Sequence, residues 1–112
     1  MNIDQLAATL KQDPGFMENV TAWKTIPARD GQMVDFPASL DARLVEVLKQ
    51  RGIRKLYTHQ ASAWEAAAAG KDYVVVTPTA SGKTLCYNLP VLSAILNDQD
   101  SRALYLFPTK AL

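Results

Sequence analysis

The chain has 112 residues, 12 Lys and Arg against 11 Asp and Glu, and a formal net charge of +1. That length bounds it to one domain with a modest core, and the near-neutral charge carries no global nucleic-acid signature, though a local one stays open. Apolar residues at 48% suit a soluble globular protein, a single Cys86 excludes an internal disulfide, and no apolar run reaches membrane-spanning length. With no basic leader in Met1 to Leu10, the composition predicts a cytoplasmic protein.

Ile3, Leu6, Ala7 and Leu10 fall at i, i+3, i+4 and i+7, which predicts a helix over residues 2–12 with Asn2 as its cap. Pro14-Gly15 is expected to end it. From Phe16 to Pro37 periodicity is weak. A short strand around Val20–Thr25 is one reading and an extended wrapping segment the other, with Trp23 as a packing anchor and turn signals at Ala28–Gln32.

A stronger helix is expected from Ser39 as cap, with Asp41 in its first turn and Leu40, Leu44, Val47 and Leu48 on its apolar face. Gly52 ends it. Lys49, Arg51, Arg54 and Lys55 then follow with no acid between them. Such a cluster complements a helix C-terminus before it need meet any phosphate. Thr58 is predicted to cap an alanine-rich helix running to Gly70, with Ala61, Trp64 and Ala68 on one face. His59 is the only histidine, so a site with several histidine ligands is excluded; it reads as a first-turn polar residue.

The most informative stretch is Tyr73 to Thr84. Tyr73-Val74-Val75-Val76 is a continuous apolar run suited to a strand buried on both faces of a parallel sheet. Thr77-Pro78-Thr79-Ala80-Ser81-Gly82-Lys83-Thr84 follows, close to GxxxxGK[ST] but with Thr77 at the first glycine position. A loop around a triphosphate must turn backbone N–H groups inward, beside a helix N-terminus. Gly82 permits close backbone approach, Lys83 sets a charge on the β/γ-phosphates, and the Thr84 hydroxyl is suited to Mg²⁺. An ordinary strand–helix connection with a surface lysine is the plainer alternative, and the strand–loop–helix context outweighs it.

Leu85, Leu89, Leu92 and Leu96 make a helical stripe that Pro90 should kink, with Cys86 as a small buried residue. Asn97 to Ser101 is a polar loop and Ala103–Phe107 a second buried strand. Pro108-Thr109 is a turn, and Lys110-Ala111-Leu112 reads as the first turn of a further helix, so an N-terminal piece of a longer protein is expected. The order β-loop-α-loop-β predicts an α/β class.

Three segments together resemble superfamily 2 helicases of the DEAD/DEAH-box type. Tyr57-Thr58-His59-Gln60 resembles the Q motif, Thr77 to Thr84 motif I, and Phe107-Pro108-Thr109-Lys110-Ala111-Leu112 motif Ia. The wording is closest to the YprA/MrfA-type branch. The resemblance implies that residues 53–112 begin a RecA-like P-loop NTPase domain, a parallel sheet with flanking helices, after a mainly helical accessory segment at 1–52. It implies ATP and Mg²⁺ as cofactors, with Gln60 on the adenine edge and Tyr57 or Arg54 stacked on the base. Thr79, Ala80, Ser81, Gly82, Lys83 and Thr84 would hold the phosphates, Lys83 and Thr84 would be catalytic, and the Thr84 hydroxyl would ligate Mg²⁺. Thr109 and Lys110 would contact a nucleic-acid backbone, DNA ahead of RNA, with DNA repair as the setting. The family's Walker B acid and arginine finger are expected beyond Leu112, so residues 1–112 alone are not expected to hydrolyse ATP. Two other readings stay open: another P-loop NTPase of kinase or GTPase type, and a non-catalytic interaction module with a vestigial P-loop.

Overall fold

The computed structural model describes residues 1–108, in two compact units, Met1–Asp30 and a second that begins at Gly31. In the first unit, α1 (Ile3–Gln12) is closed by a capping box: the Asn2 side chain accepts from Gln5 N–H, and the Gln5 side chain accepts from Asn2 N–H. Pro14 starts a second short helix, α2 (Pro14–Met17), instead of merely ending the first. Proline at the first helical position forfeits no bond, and Asp13 caps the turn by accepting from Gly15 and Phe16 N–H. Val20–Thr25 forms no strand. Trp23 packs under Lys11, whose ammonium lies 4.9 Å from the ring centroid.

The second unit is built on β1 (Met33–Val34), α3 (Ala42–Gln50), β2 (Leu56–Tyr57), α4 (Thr58–Ala68) and α5 (Lys83–Asn97). β1 and β2 pair antiparallel, Met33 opposite Tyr57 and Val34 opposite Leu56. Thr58 N–H donates to Gln32 O and carries this pairing into the start of α4. Leu40, Leu44, Leu48, Leu56, Ala61, Trp64 and Leu89 form one core, so α3, which the sequence grouped with residues 1–52, shares it with α4 and α5. Leu56 is fully buried, which is worth about 1.5–3 kcal/mol relative to exposure. Leu92, at the same helical spacing as Leu89, lies on the exposed side of α5.

Two caps differ from expectation. α3 starts at Ala42, and Asp41 caps it through Arg43 N–H at 2.8 Å. Its carboxyl also pairs with the Arg43 guanidinium, and that hydrogen bond holds its pKa down at about 2. Ser39 instead accepts a hydrogen bond from the Trp64 indole at 2.9 Å, so that the buried indole N–H is satisfied. Tyr57, not Thr58, is the N-cap of α4.

The parallel sheet expected from the sequence is not seen among the described residues. Among the described residues the only ladder is the antiparallel β1–β2 pair, and residues 71–78 and 101–108 have no strand pairing. Val74 and Val76 are 89% exposed, and Leu104 and Leu106 85%. An apolar, β-branched run reports what each side chain prefers to touch; it supplies neither the neighbouring strand nor the covering layer. What pins these segments is tyrosine. Tyr73 Oη donates to Cys86 O at 2.7 Å, and Tyr105 Oη donates to Asn88 Oδ1 at 3.1 Å. Cys86 O is the carbonyl that an N–H at position 90 would have taken in a regular helix. Pro90 leaves it over, and Tyr73 uses it. No helix among the described residues is long and apolar enough to cross a membrane.

Candidate nucleotide-binding site

The loop Thr77–Gly82 leads directly into α5, so its last peptides are also the open N-terminal turn of a 15-residue helix. Gly82 is that helix's N-cap in the left-handed region, with φ at +74° and ψ at 27°. Its need for glycine is double. A Cβ there would be strained by the backbone and would lie 2.6 Å from Gln60 Nε2. The close approach that glycine permits here is thus to the Gln60 amide. A left-handed residue followed by a helical one makes successive N–H groups converge, an arrangement that favours anions.

Lys83 folds back across the loop. Its ammonium donates to Pro78 O at 2.8 Å and Thr77 O at 2.9 Å, with Thr77 Oγ1 and Ser81 Oγ both at 3.2 Å. Thr77 and Ser81 also share a hydroxyl–hydroxyl bond. Thr77, read in the sequence as a misfit at a glycine position, therefore contributes two of the oxygens that hold the lysine. Ala80 takes φ at +59°, uncommon for a residue with a side chain and costing about 1–2 kcal/mol. Thr79 and Ala80 form the exposed tip of the loop, and Thr84 is exposed as the second residue of α5.

The first turn of α4 grips this loop. Gln60 is 3% exposed; its Oε1 accepts from Tyr57 N–H at 2.9 Å and its Nε2 donates to Gly82 O at 2.9 Å. His59 Nε2 lies 2.8 Å from Ser81 O, and its ring stacks on Tyr57 at 5.5 Å between centroids. Two consecutive side chains of α4 therefore hold two consecutive carbonyls of the loop. Beside them opens a cleft of about 390 Å³ lined by Arg54, Tyr57, Gln60, Gly82 and Leu85, with Met33 and Gly52 at its edge. This brings together Tyr57, Gln60, Ser81, Gly82 and Lys83 as the sequence predicted, with Arg54 on the cleft wall. Thr109 and Lys110 lie outside the described residues.

The sequence reading missed His59, whose place between two motif residues was the available signal, and Gly31. A Cβ at Gly31 would collide with the Tyr57 ring, so glycine is what lets the chain pass against that side chain. Cys86 is buried beneath the site and burial pushes its thiol pKa up, which keeps it a packing residue. No group of three or more His, Cys, Asp or Glu side chains among the described residues is arranged to hold a metal ion. Mg²⁺ in such a loop needs none, since it keeps most of its shell in waters and phosphate oxygens, and one hydroxyl such as that of Thr84 fits that demand.

Comparison with known proteins gives this geometry a context. The family model described as DEAD/DEAH box helicase matches residues 57–112. The chain is 56% identical over 85% of its length to the uncharacterized ATP-dependent helicase YprA of Bacillus subtilis, spanning 13% of that protein. It is 39% identical over 81% of its length to the ATP-dependent helicase hrq1 of Schizosaccharomyces pombe, spanning 9% of it. Among solved structures it resembles the DUF1998 helicase MrfA bound to DNA and AMPPNP, with a TM-score of 0.72 and 48% identity. That match covers 97% of this chain and 15% of the MrfA chain.

Proposed function

Since the chain belongs to the DEAD/DEAH box helicase family, we propose that it forms the ATP-binding start of an ATP-dependent helicase that moves on nucleic acid. The observation that supports this most is the loop closed around the Lys83 ammonium and held from the α4 side by Gln60. Phosphate oxygens can replace the Thr77, Pro78 and Ser81 oxygens around that ammonium with little movement of the backbone. A kinase or GTPase would share the loop and the lysine but has no need of Gln60 at this place. We assign the adenine to the cleft beside Gln60. Its amide has two donor hydrogens and two acceptor lone pairs, and Tyr57 N–H and Gly82 O use one of each. The N–H and lone pair left over match the N7 acceptor and N6 donor of adenine. Tyr57 or Arg54 supplies the stacking wall.

The Thr79–Thr84 stretch holds the phosphates, and Mg²⁺, when bound, supplies charge neutralisation there, with the Thr84 hydroxyl as the chain's ligand. Thr109 and Lys110 contact the sugar–phosphate backbone of the strand, which suits a motor indifferent to sequence. DNA is the assigned strand, in keeping with the DNA-bound MrfA structure. A cytoplasmic setting and a role in DNA repair complete the reading. RecA-like packing, with the 71–78 and 101–108 segments in a parallel sheet, belongs to the same proposal. In the intact protein, Lys83→Ala should abolish ATP hydrolysis and strand separation without lowering the melting temperature. Normal turnover in that variant would overturn the assignment.

A further inference from the structure

His59 grips the loop, yet neither phosphate nor adenine contact has been assigned to it. Its ring is half-buried, stacked on Tyr57 with the planes 8° apart, and its Nε2 lies 2.8 Å from Ser81 O. A carbonyl oxygen only accepts, so Nε2 carries the proton and donates. The stack keeps the ring from rotating away, and the backbone of His59 is fixed as the second residue of α4.

The consequence lies on the other side of the peptide. The unit joining Ser81 to Gly82 is planar, with its C=O and N–H pointing in opposite directions. Holding Ser81 O towards α4 turns the Gly82 N–H away from it. Gln60 does the same to the next peptide through Gly82 O, which turns the Lys83 N–H. The Gly82 φ of +74° then makes these two N–H groups converge at the open end of α5. Without the His59 bond the 81–82 peptide is held on that side by nothing else seen among the described residues, and glycine at position 82 lets it flip easily.

We infer that His59 is a positioning residue for phosphate binding, acting through the Ser81 carbonyl to fix the direction of the Gly82 N–H. This rests on the nucleotide reading given above. It adds that the phosphate-facing orientation of the loop is set before ligand arrives, by a side chain that never touches it.

The experiment compares His59→Gln with His59→Asn in the intact protein. Glutamine reaches Ser81 O with its amide N–H; asparagine, one methylene shorter, does not. Both are polar and both suit the first turn of a helix. ADP and AMP are titrated in competition with a fluorescent ATP analogue, and melting is recorded without nucleotide. His59→Gln should bind ADP within about threefold of wild type. His59→Asn should bind it about three- to tenfold more weakly, the loss expected for one hydrogen bond. AMP, which has no β-phosphate for the loop, should lose less than twofold in either variant. Equal ADP affinity for the two variants would overturn the inference, as would an equal loss for AMP and ADP, which would place His59 in the base cleft. Failure of the wild type itself to bind ADP or the analogue would overturn the nucleotide reading and this inference with it.

Discussion

The two flanks of the loop are held by different means. Downstream, Gly82, Lys83 and Leu89 lie at and on a helix whose packing partners are all present in the chain: Leu56 and Trp64 share a core with Leu89, and Gln60 bonds Gly82 O. Upstream, Tyr73 to Val76 pairs with no strand among the described residues, Val74 and Val76 are 89% exposed, and the Tyr73 hydroxyl ties the segment to α5. The functional atoms thus cluster on the flank whose packing is local, while the other flank waits on backbone partners that a short segment cannot supply for itself. A phosphate loop can be set by one helix start gripping another, before any sheet is complete.

Substitutions in the 112-residue chain separate the flanks most sharply. Leu56→Ala opens a cavity at a fully buried position and should cost about 2–5 kcal/mol in chemical denaturation. Val74→Ala, at 89% exposure, should change stability by less than about 0.5 kcal/mol. Similar losses for the two would erase the contrast, and a large loss at Val74 would mean that the upstream flank is packed.

Gly82→Ala attacks the junction itself. Left-handed strain of about 1–2 kcal/mol adds to the loss of the Gln60 hydrogen bond, about 1 kcal/mol, so phosphate affinity should fall by one to two decades. Nucleotide titration of the intact variant measures it; a loss under threefold would show that the loop does not depend on this contact. Ala80→Gly tests the loop's exposed tip. Relief of the strain at φ +59° should stabilise the loop by up to about 1 kcal/mol, offset by glycine's extra freedom when unfolded, with no loss of binding.

The smallest effect is electrostatic and lies at α3, away from the loop. The Asp41 carboxyl is held down at about 2, from an ordinary value of 3.8, by its hydrogen bonds with Arg43. A depressed acid contributes stability that is present above 3.8 and lost as pH falls towards 2. Asp41→Asn should therefore flatten part of the acid limb of the stability–pH curve between those values and leave its neutral region little changed. An unaltered acid limb would mean that the pair is broken in solution.

Much of the site was legible because its signals are local. Asn2 announced the cap of α1, and Gly82-Lys83-Thr84 announced the helix opening at the loop. Gln60 stood out through its neighbours Tyr57 and Thr58. The Ser39–Trp64 bond, the collar of Thr77 and Ser81 around Lys83 and the His59 grip on Ser81 were not legible. Each joins residues whose pairing only the folded chain decides, and nothing in a threonine at position 77 or a histidine at 59 names its partner. For the parallel sheet the limit is of the opposite kind. The valine run carries a strong strand signal, but a ladder is a property of two segments. β1 was missed because two residues next to a turn carry almost no periodic signal.

Whether the start of α4 and the phosphate loop form one nucleotide site is tested most directly by Gln60→Ala in the intact protein. ATP and GTP are titrated against wild type and variant. Guanine keeps the N7 acceptor but places its O6 acceptor where adenine has the N6 donor, so the Gln60 lone pair meets another lone pair, and buried polar groups left unpaired cost about 1–3 kcal/mol. The wild type should therefore prefer ATP by one to two decades. The variant should lose most of that preference and, with the Gly82 carbonyl released, part of its affinity for both nucleotides. A variant that keeps its full ATP preference would contradict the account, because Gln60 would then be only a buried clamp at a helix start.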